Sequence, residues 1–234
     1  MAPRATIRTA ARRMPRDQRV AAILRSARVV LRERGSEQFL TSEVAERCGI
    51  SEGTIYKYFP TKRDLLIQVG ESWFDEFLAE DYPIRLSGPI EERLYHVIWW
   101  SLSIIRREPA LTRFVLMELR ADPNYRNMRI YQQNREIVDR VMSVIAEGTA
   151  TGELRANLPL RVVRNMIFGA IEHETWVYLR GEGDFSVDYS TAGITNIIIR
   201  GISATPKPAD AMAAVVGRLE TVAASLERKL RVDD

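Results

Sequence analysis

One cysteine, Cys48, and two histidines, His96 and His173, are all the thiolate and imidazole in 234 residues. A single cysteine closes no internal disulfide, and with two histidines it does not make a zinc site of the usual kind. Long apolar runs are missing too. The strongest, Val97 to Ile105, is interrupted by Ser101 and Ser103 and falls short of the roughly 18–20 apolar residues a bilayer span needs. Catalytic signatures are equally scarce. There is no Gly-Lys-Ser/Thr phosphate loop, Gly181-Glu182-Gly183 lacks a preceding strand and a third glycine, and Glu172-His173-Glu174 lacks the second histidine of a zinc-protease helix. The expectation is therefore no enzyme, no cofactor, no metal and no membrane span.

What remains is an ordinary globular composition, 46% hydrophobic and 28% charged, with its charge unevenly placed. Residues 1–65 carry 14 Lys and Arg against 7 Asp and Glu, a net +7, whereas residues 66–234 are net −4. A basic first quarter on a mildly acidic remainder points to a polyanion at the N-terminal end; a solvated basic face is the ordinary reading of charge alone, so the charge needs a motif to support it.

Period-2 strands punctuated by turns are absent, and helical spacing runs throughout. Val20, Ile23, Leu24, Ala27, Val30 and Leu31 form one apolar face over residues 20–34, stopped by Gly35. Thr41 or Ser42 is positioned to cap a short helix carrying Val44 and Ala45 inward. Gly49 supplies a left-handed turn, and Ser51 caps a further short helix to about Tyr58. Two short helices joined by a tight glycine turn make a helix-turn-helix. After Pro60, Thr61-Lys62-Arg63-Asp64 is a capping-box variant opening a long helix through Leu65, Leu66, Val69, Trp73 and Phe77.

Further helices are expected between Pro89 and Pro109, over Leu111 to Leu119, over Tyr125 to Ala150, over Pro159 to Leu179, and over Ser190 to Ile202. In the Pro159 to Leu179 helix, Val162, Val163, Met166, Ile167, Ala170 and Ile171 are expected inward. A stiff Thr205-Pro206-Lys207-Pro208 linker precedes an additional amphipathic helix over residues 209–230. The fold class is all-α.

Residues 39–66 read FLTSEVAERCGISEGTIYKYFPTKRDLL. Thr41, Val44-Ala45, Cys48-Gly49-Ile50-Ser51, Gly53-Thr54-Ile55-Tyr56, Tyr58-Phe59, Lys62 and Asp64-Leu65-Leu66 stand in register with the TetR family of bacterial transcription regulators, which this segment resembles. Cys48 stands where that family usually has alanine. The resemblance implies DNA binding by residues 17–77, with a basic arm over residues 1–16 and a helical ligand-binding and dimerisation domain over residues 78–204, followed by the linker and extra helix at 205–234. It implies a cytoplasmic, nucleoid-associated bacterial protein.

A recognition helix offers its first residues to base edges, and a small Gly53 lets the backbone approach DNA closely. Thr41, Ser42, Tyr58 and Lys62 are assigned to phosphates, and Glu52, Gly53, Thr54, Tyr56 and Lys57 to the groove surface. Arg4, Arg8, Arg12, Arg13 and Arg16 fit either an arm on the DNA or a solvated extension. Removing residues 1–16 is expected to weaken DNA binding and flatten its salt dependence.

For the second domain the resemblance implies a symmetric homodimer on a palindromic operator, its seam made by the last two family helices through Ile167, Ile171, Trp176, Ile194 and Ile198. Met117-Glu118-Leu119-Arg120, Ile145 to Gly148 with Thr151 to Arg155, and Arg164 to Glu172 look like segments of FadR-type regulators of fatty-acid degradation. These imply a repressor released by a small hydrophobic effector, a long-chain acyl-CoA. A drug-like cation, a steroid or an aromatic acid is the alternative. Candidate ligand contacts are Trp73, Phe77, Trp99, Trp100, Phe114, Met117, Arg120, Tyr131, Met166, Phe168, Glu172 and His173.

Overall fold

The computed structural model describes residues 14–80, 88–204 and 216–220. Nine α-helices lie within the described part of residues 14–204: α1 (Arg16–Arg34), α2 (Thr41–Arg47), α3 (Glu52–Tyr56), α4 (Lys62–Ala79), α5 (Ile90–Arg107), α6 (Pro109–Arg113), α7 (Arg129–Thr151), α8 (Leu160–Leu179) and α9 (Val187–Ile202). No strand occurs among the described residues. The all-α expectation therefore stands.

Local chemistry sets most helix ends. Gly35 takes φ +71° and its N–H closes on Leu31 O, which stops α1 where a side chain would be strained. Gly49 turns between α2 and α3 at φ +61°. Ser51 caps α3 by accepting from the Thr54 N–H. Thr61 and Asp64 form the full capping box of α4, each side chain accepting from the other's backbone.

Several expected ends shift. Leu40 occupies the N-cap of α2 and no side chain caps it, so Thr41 and Ser42 lie inside the helix. The recognition helix ends at Tyr56, two residues early, because the chain must turn to deliver Phe59 to the core at 4% exposure. The segment expected as one helix from Leu111 to Leu119 is α6 followed by a π-helical turn, Phe114–Leu119. A 3₁₀ turn at Tyr125–Asn127 precedes α7, and α9, capped by Ser186, begins three residues ahead of its expected start. Of the helix expected over 209–230, only residues 216–220 are described, and they are helical; of the arm expected over residues 1–16, residues 1–13 lie outside the described residues and Arg16 already belongs to α1.

Two hydrophobic clusters fill the molecule. The first joins α1–α4 to the C-terminal half of α5, to α6 and to the start of α7, through Ile23, Val30, Phe39, Ile55, Trp73, Phe77, Trp100 and Leu111. The second packs α5, α7, α8 and α9 around Leu94, Val97, Val141, Ile167 and Ile198. The long helix α4 spans the first cluster from end to end, burying Leu65, Leu66, Val69, Trp73 and Phe77 as its spacing requires. Lys62 at its start and Trp73 near its end are thus carried on one rigid rod.

One inward assignment on α8 is reversed. Val162 and Met166 are 46% and 52% exposed, while Val163, Ile167 and Ile171 are buried. Positions 162, 166, 173 and 177 share a face at spacings of four, seven and four, and that face points away from the subunit's own core.

Candidate nucleic-acid interface and effector cleft

The helix-turn-helix surface is built on α3. Gly53 is exposed, and a Cβ placed on it meets nothing within 4 Å, so its backbone is open to an approaching duplex. Glu52 and Lys57 are exposed beside it, and Thr54 shares a 2.8 Å hydroxyl contact with Ser51. Tyr56 is 41% exposed, with its hydroxyl 3.3 Å from Glu52 Oε1 and 3.4 Å from Thr41 Oγ1. Those contacts hold the phenol over α2 and tie up the Glu52 carboxylate.

Thr41 itself is 5% exposed, so it stands behind Tyr56, and the exposed Ser42 is the hydroxyl left at the surface of α2. Tyr58 is half-buried against the first cluster. Lys62 is half-buried, its ammonium 3.5 Å from Glu37 O and 5.8 Å from the centre of the Phe39 ring. Leu40, 59% exposed beside Ser42, is an apolar member of this surface that no sequence signal marks.

Away from this surface, a cleft of about 100 Å³ opens between α4, α5, α6, the π-turn, α7 and α8. Its apolar walls include Trp73, Phe74, Ile104, Ile105, Leu111, Val115, Leu116, Ile137, Phe168 and Ile171. At its rim Arg120 donates to Glu172 Oε2 at 2.8 Å, both side chains about a third exposed. Thr112 also lines it, 8% exposed, with a buried hydroxyl that has no hydrogen-bond partner.

Four of the expected ligand residues line this cleft: Trp73, Arg120, Phe168 and Glu172. Phe77, Trp100 and Phe114 are core beside it rather than lining, each 2% exposed or less. Met117 packs half-buried on the second cluster, and Tyr131 stands edge-on to Tyr125 at 5.5 Å. Trp99 faces α9, where its indole N–H donates to Asp188 at 2.7 Å. Met166 and His173 are exposed on the outer face of α8, Met166 about 200° around the helix from Phe168 and His173 about 100° from Glu172. The lining residues that spacing missed are mostly unmarked hydrophobics. Ser101, Ile104 and Ile105 do share one face of α5 at i, i+3 and i+4.

The expected dimer seam needs similar correction. Ile167, Ile171 and Ile198 are 0%, 5% and 5% exposed, filling their own subunit's core and, for Ile171, the cleft wall. Trp176 and Ile194 are half-buried. The exposed large apolar side chains of these helices are instead Leu160, Val162, Met166 and Val177 on α8, with Tyr189 and Ile197 on α9, Ile197 at 69% exposure between the exposed glycines Gly193 and Gly201.

Between the DNA-facing and cleft-facing parts lies a set of charges gathered on one buried carboxylate. Glu108, at the α5–α6 corner, is 1% exposed; Arg28 Nε donates to it at 2.6 Å, and Arg32 donates through Nε at 2.9 Å and through Nη2. Arg28 also reaches Glu76 on α4 at 2.7 Å. Donating to the Glu108 carboxylate raises the pKa of the Arg32 guanidinium. Ser36, after α1, donates to Glu118 on the π-turn. Farther along α4, burial pushes the Glu71 carboxyl above its ordinary value, against the opposing pull of Arg129 and of the Gln68 amide that donates to it at 2.8 Å.

The family model for "Bacterial regulatory proteins, tetR family" matches residues 23–69, and that for "Tetracyclin repressor-like, C-terminal domain" matches residues 87–202. Between them they span α1 to α9. The chain belongs to the TetR family. As a TetR-family protein it is a DNA-binding transcriptional regulator, which agrees with the surface on α3.

Among relatives, the fatty acid metabolism regulator protein of Bacillus subtilis is 26% identical over 185 residues, covering 77% of this chain and 93% of that protein. The crystal structure of FadR from Bacillus subtilis in complex with stearoyl-CoA superposes with a TM-score of 0.66 at 25% identity, covering 78% of this chain and 98% of that one. A regulator from Saccharomonospora viridis in complex with choline shares the fold, with a TM-score of 0.67 at 21% identity, covering 81% of this chain and all of that one. No helix among the described residues of this TetR-family chain is long and apolar enough to cross a membrane.

Proposed function

We propose that this TetR-family regulator is a cytoplasmic homodimeric repressor that binds a palindromic operator and is released from it by a long-chain acyl-CoA. The observation that carries the effector is the cleft: an apolar, aromatic-walled space beside α4 with a cationic group, Arg120, at its mouth. An acyl chain suits the walls and an anionic head suits the arginine. The likeness to the regulator solved with stearoyl-CoA supports the same class of ligand.

At about 100 Å³ the cleft is smaller than the roughly 300–1,000 Å³ usual for ligand sites, so a long chain enters only if the walls part. That requirement supplies the differential affinity on which any ligand switch depends. Trp73 and Phe74 form part of the wall, and both ride on α4, whose other end carries Lys62 beside the recognition helix. Displacing the wall moves the reading head. In a dimer, a change of a few ångströms breaks the match to half-sites about 34–36 Å apart.

The test is fluorescence anisotropy of the protein on DNA from upstream of its own coding region, at fixed salt, titrated with acyl-CoAs of increasing chain length. Release by long-chain esters and not by free CoA is the expected result. Tight DNA binding that no acyl-CoA disturbs overturns the effector while leaving the regulator intact.

A further inference from the structure

We infer that Thr112 is the hydrogen-bonding point that recognises the carbonyl at the head of the effector's acyl chain, and that Glu108 passes the resulting shift of α6 to the DNA-binding helices. The inference rests on the acyl-CoA reading above and assigns its polar contact and its route.

Helical threonines and serines ordinarily satisfy a buried hydroxyl by donating to the carbonyl four residues back. Others in this protein do so: Ser101 to Val97 at 2.8 Å, Thr149 to Ile145 at 2.9 Å, Thr175 to Ile171 at 3.0 Å and Thr191 to Val187 at 2.6 Å. Thr112 does not. Its backbone N–H donates to Glu108 O at 2.9 Å, and its hydroxyl is left buried and unpaired on a residue that lines the cleft. An unsatisfied buried hydroxyl calls for an explanation. Thr195 on α9 is left the same way but does not line the cleft, whereas Thr112 stands in its lining, where a bound group can complete it.

The surroundings define what completes it. Trp73, Phe168 and Ile171 make the nearby walls apolar, and the charged pair Arg120–Glu172 lies at the rim. An uncharged acceptor attached to a hydrocarbon chain meets both conditions, and a thioester carbonyl is such a group. The Thr112 hydroxyl donates to its oxygen.

The same short helix holds the other end of the link. Glu108 precedes α6, and its carboxylate is shut in between Arg28 and Arg32 of α1, with Arg28 bound in turn to Glu76 of α4. Three charges so placed do not separate cheaply, because a buried carboxylate leaving its guanidinium groups has no solvent to replace them. When a ligand draws Thr112 and α6 moves, Glu108 carries α1 with it. Ser36 to Glu118 gives a second tie, from the end of α1 to the π-turn that also lines the cleft.

The test pairs two ligands with three variants. Stearoyl-CoA carries the carbonyl, and octadecyl-CoA, a thioether, lacks it. Wild type is expected to bind the ester about tenfold more tightly than the thioether, and Thr112→Val to bind the two alike. A variant that loses equally for both ligands makes Thr112 a packing residue and overturns its assignment.

Glu108→Gln is expected to bind stearoyl-CoA within about twofold of wild type while its operator affinity no longer responds. Arg32→Gln, at a half-exposed side chain that the fold tolerates more readily, is expected to blunt the response in the same direction. Binding and release that stay coupled in both variants overturn the route. If wild type itself binds no acyl-CoA, the effector reading fails first and takes the Thr112 assignment with it.

Discussion

Phe77 lies against Trp100 with ring centroids 4.3 Å apart and planes 26° from parallel. The stack joins the end of α4 to the middle of α5, and Arg107 and Arg140 stand over Phe77 and Trp100, at 5.6 and 5.2 Å from the respective ring centres. It fixes one end of the rod whose other end carries Lys62. Phe77→Ala removes a ring that is 1% exposed and is expected to cost about 3–5 kcal/mol, measured by urea unfolding. Loss below about 1 kcal/mol shows that α4 is not anchored there.

Gly53 separates fold from function at the DNA surface. Because a methyl group at this position meets nothing within 4 Å, Gly53→Ala leaves the melting temperature unchanged or slightly raised. If the first turn of α3 meets the duplex, operator affinity falls at least about tenfold, because the added carbon then holds the two backbones apart. Unchanged affinity in anisotropy removes α3's first turn from the interface.

The outer face of α8 and α9 is tested by Ile197→Asp. With the side chain 69% exposed in the subunit, the change costs the isolated fold within about 0.5 kcal/mol. Sedimentation velocity is expected to show monomers in place of dimers, and operator binding to weaken in step. A dimer that persists places the seam elsewhere.

Glu71 gives a pH-dependent prediction. Its folded-state pKa is raised, so ionising it opposes folding: its contribution is most favourable below the ordinary value of 4.5 and is lost as pH rises from there through the raised value. Glu71→Gln keeps an acceptor for Gln68 without the charge. Thermal unfolding of this variant is expected to shift upward relative to wild type at pH 7, with the gap closing below pH 4.5. A gap that is constant across that range assigns the difference to packing.

The features legible in the sequence were those whose causes lie within a few residues. Ser51, the Thr61–Asp64 box, Gly35 and Gly49 act on their own turns, and each does what its type and position require. The interior of α8 was illegible because Val162 and Met166 are as apolar as Val163 and Ile167. With hydrophobic side chains on both faces, period alone does not say which one meets the core. The cleft escaped for a similar reason, since Phe74, Ile104, Val115 and Ile137 carry no chemical mark. Glu108 before Pro109 reads as a simple helix break; nothing local announces that arginines some 80 residues earlier close on it.

The π-turn at Phe114–Leu119 holds a different kind of information. There the Arg120 N–H bonds to Val115 O, five residues back at 3.0 Å, where a regular helix reaches four. Such a turn is an α-helix with one residue too many. Deleting a single residue within it restores the regular ladder and rotates everything downstream by about 100° relative to what precedes it. Which side chain stands at the mouth of the cleft is therefore set by a count of residues as much as by their identity. A homologue one residue shorter in this turn can keep every side chain around it and still present a different group to its ligand.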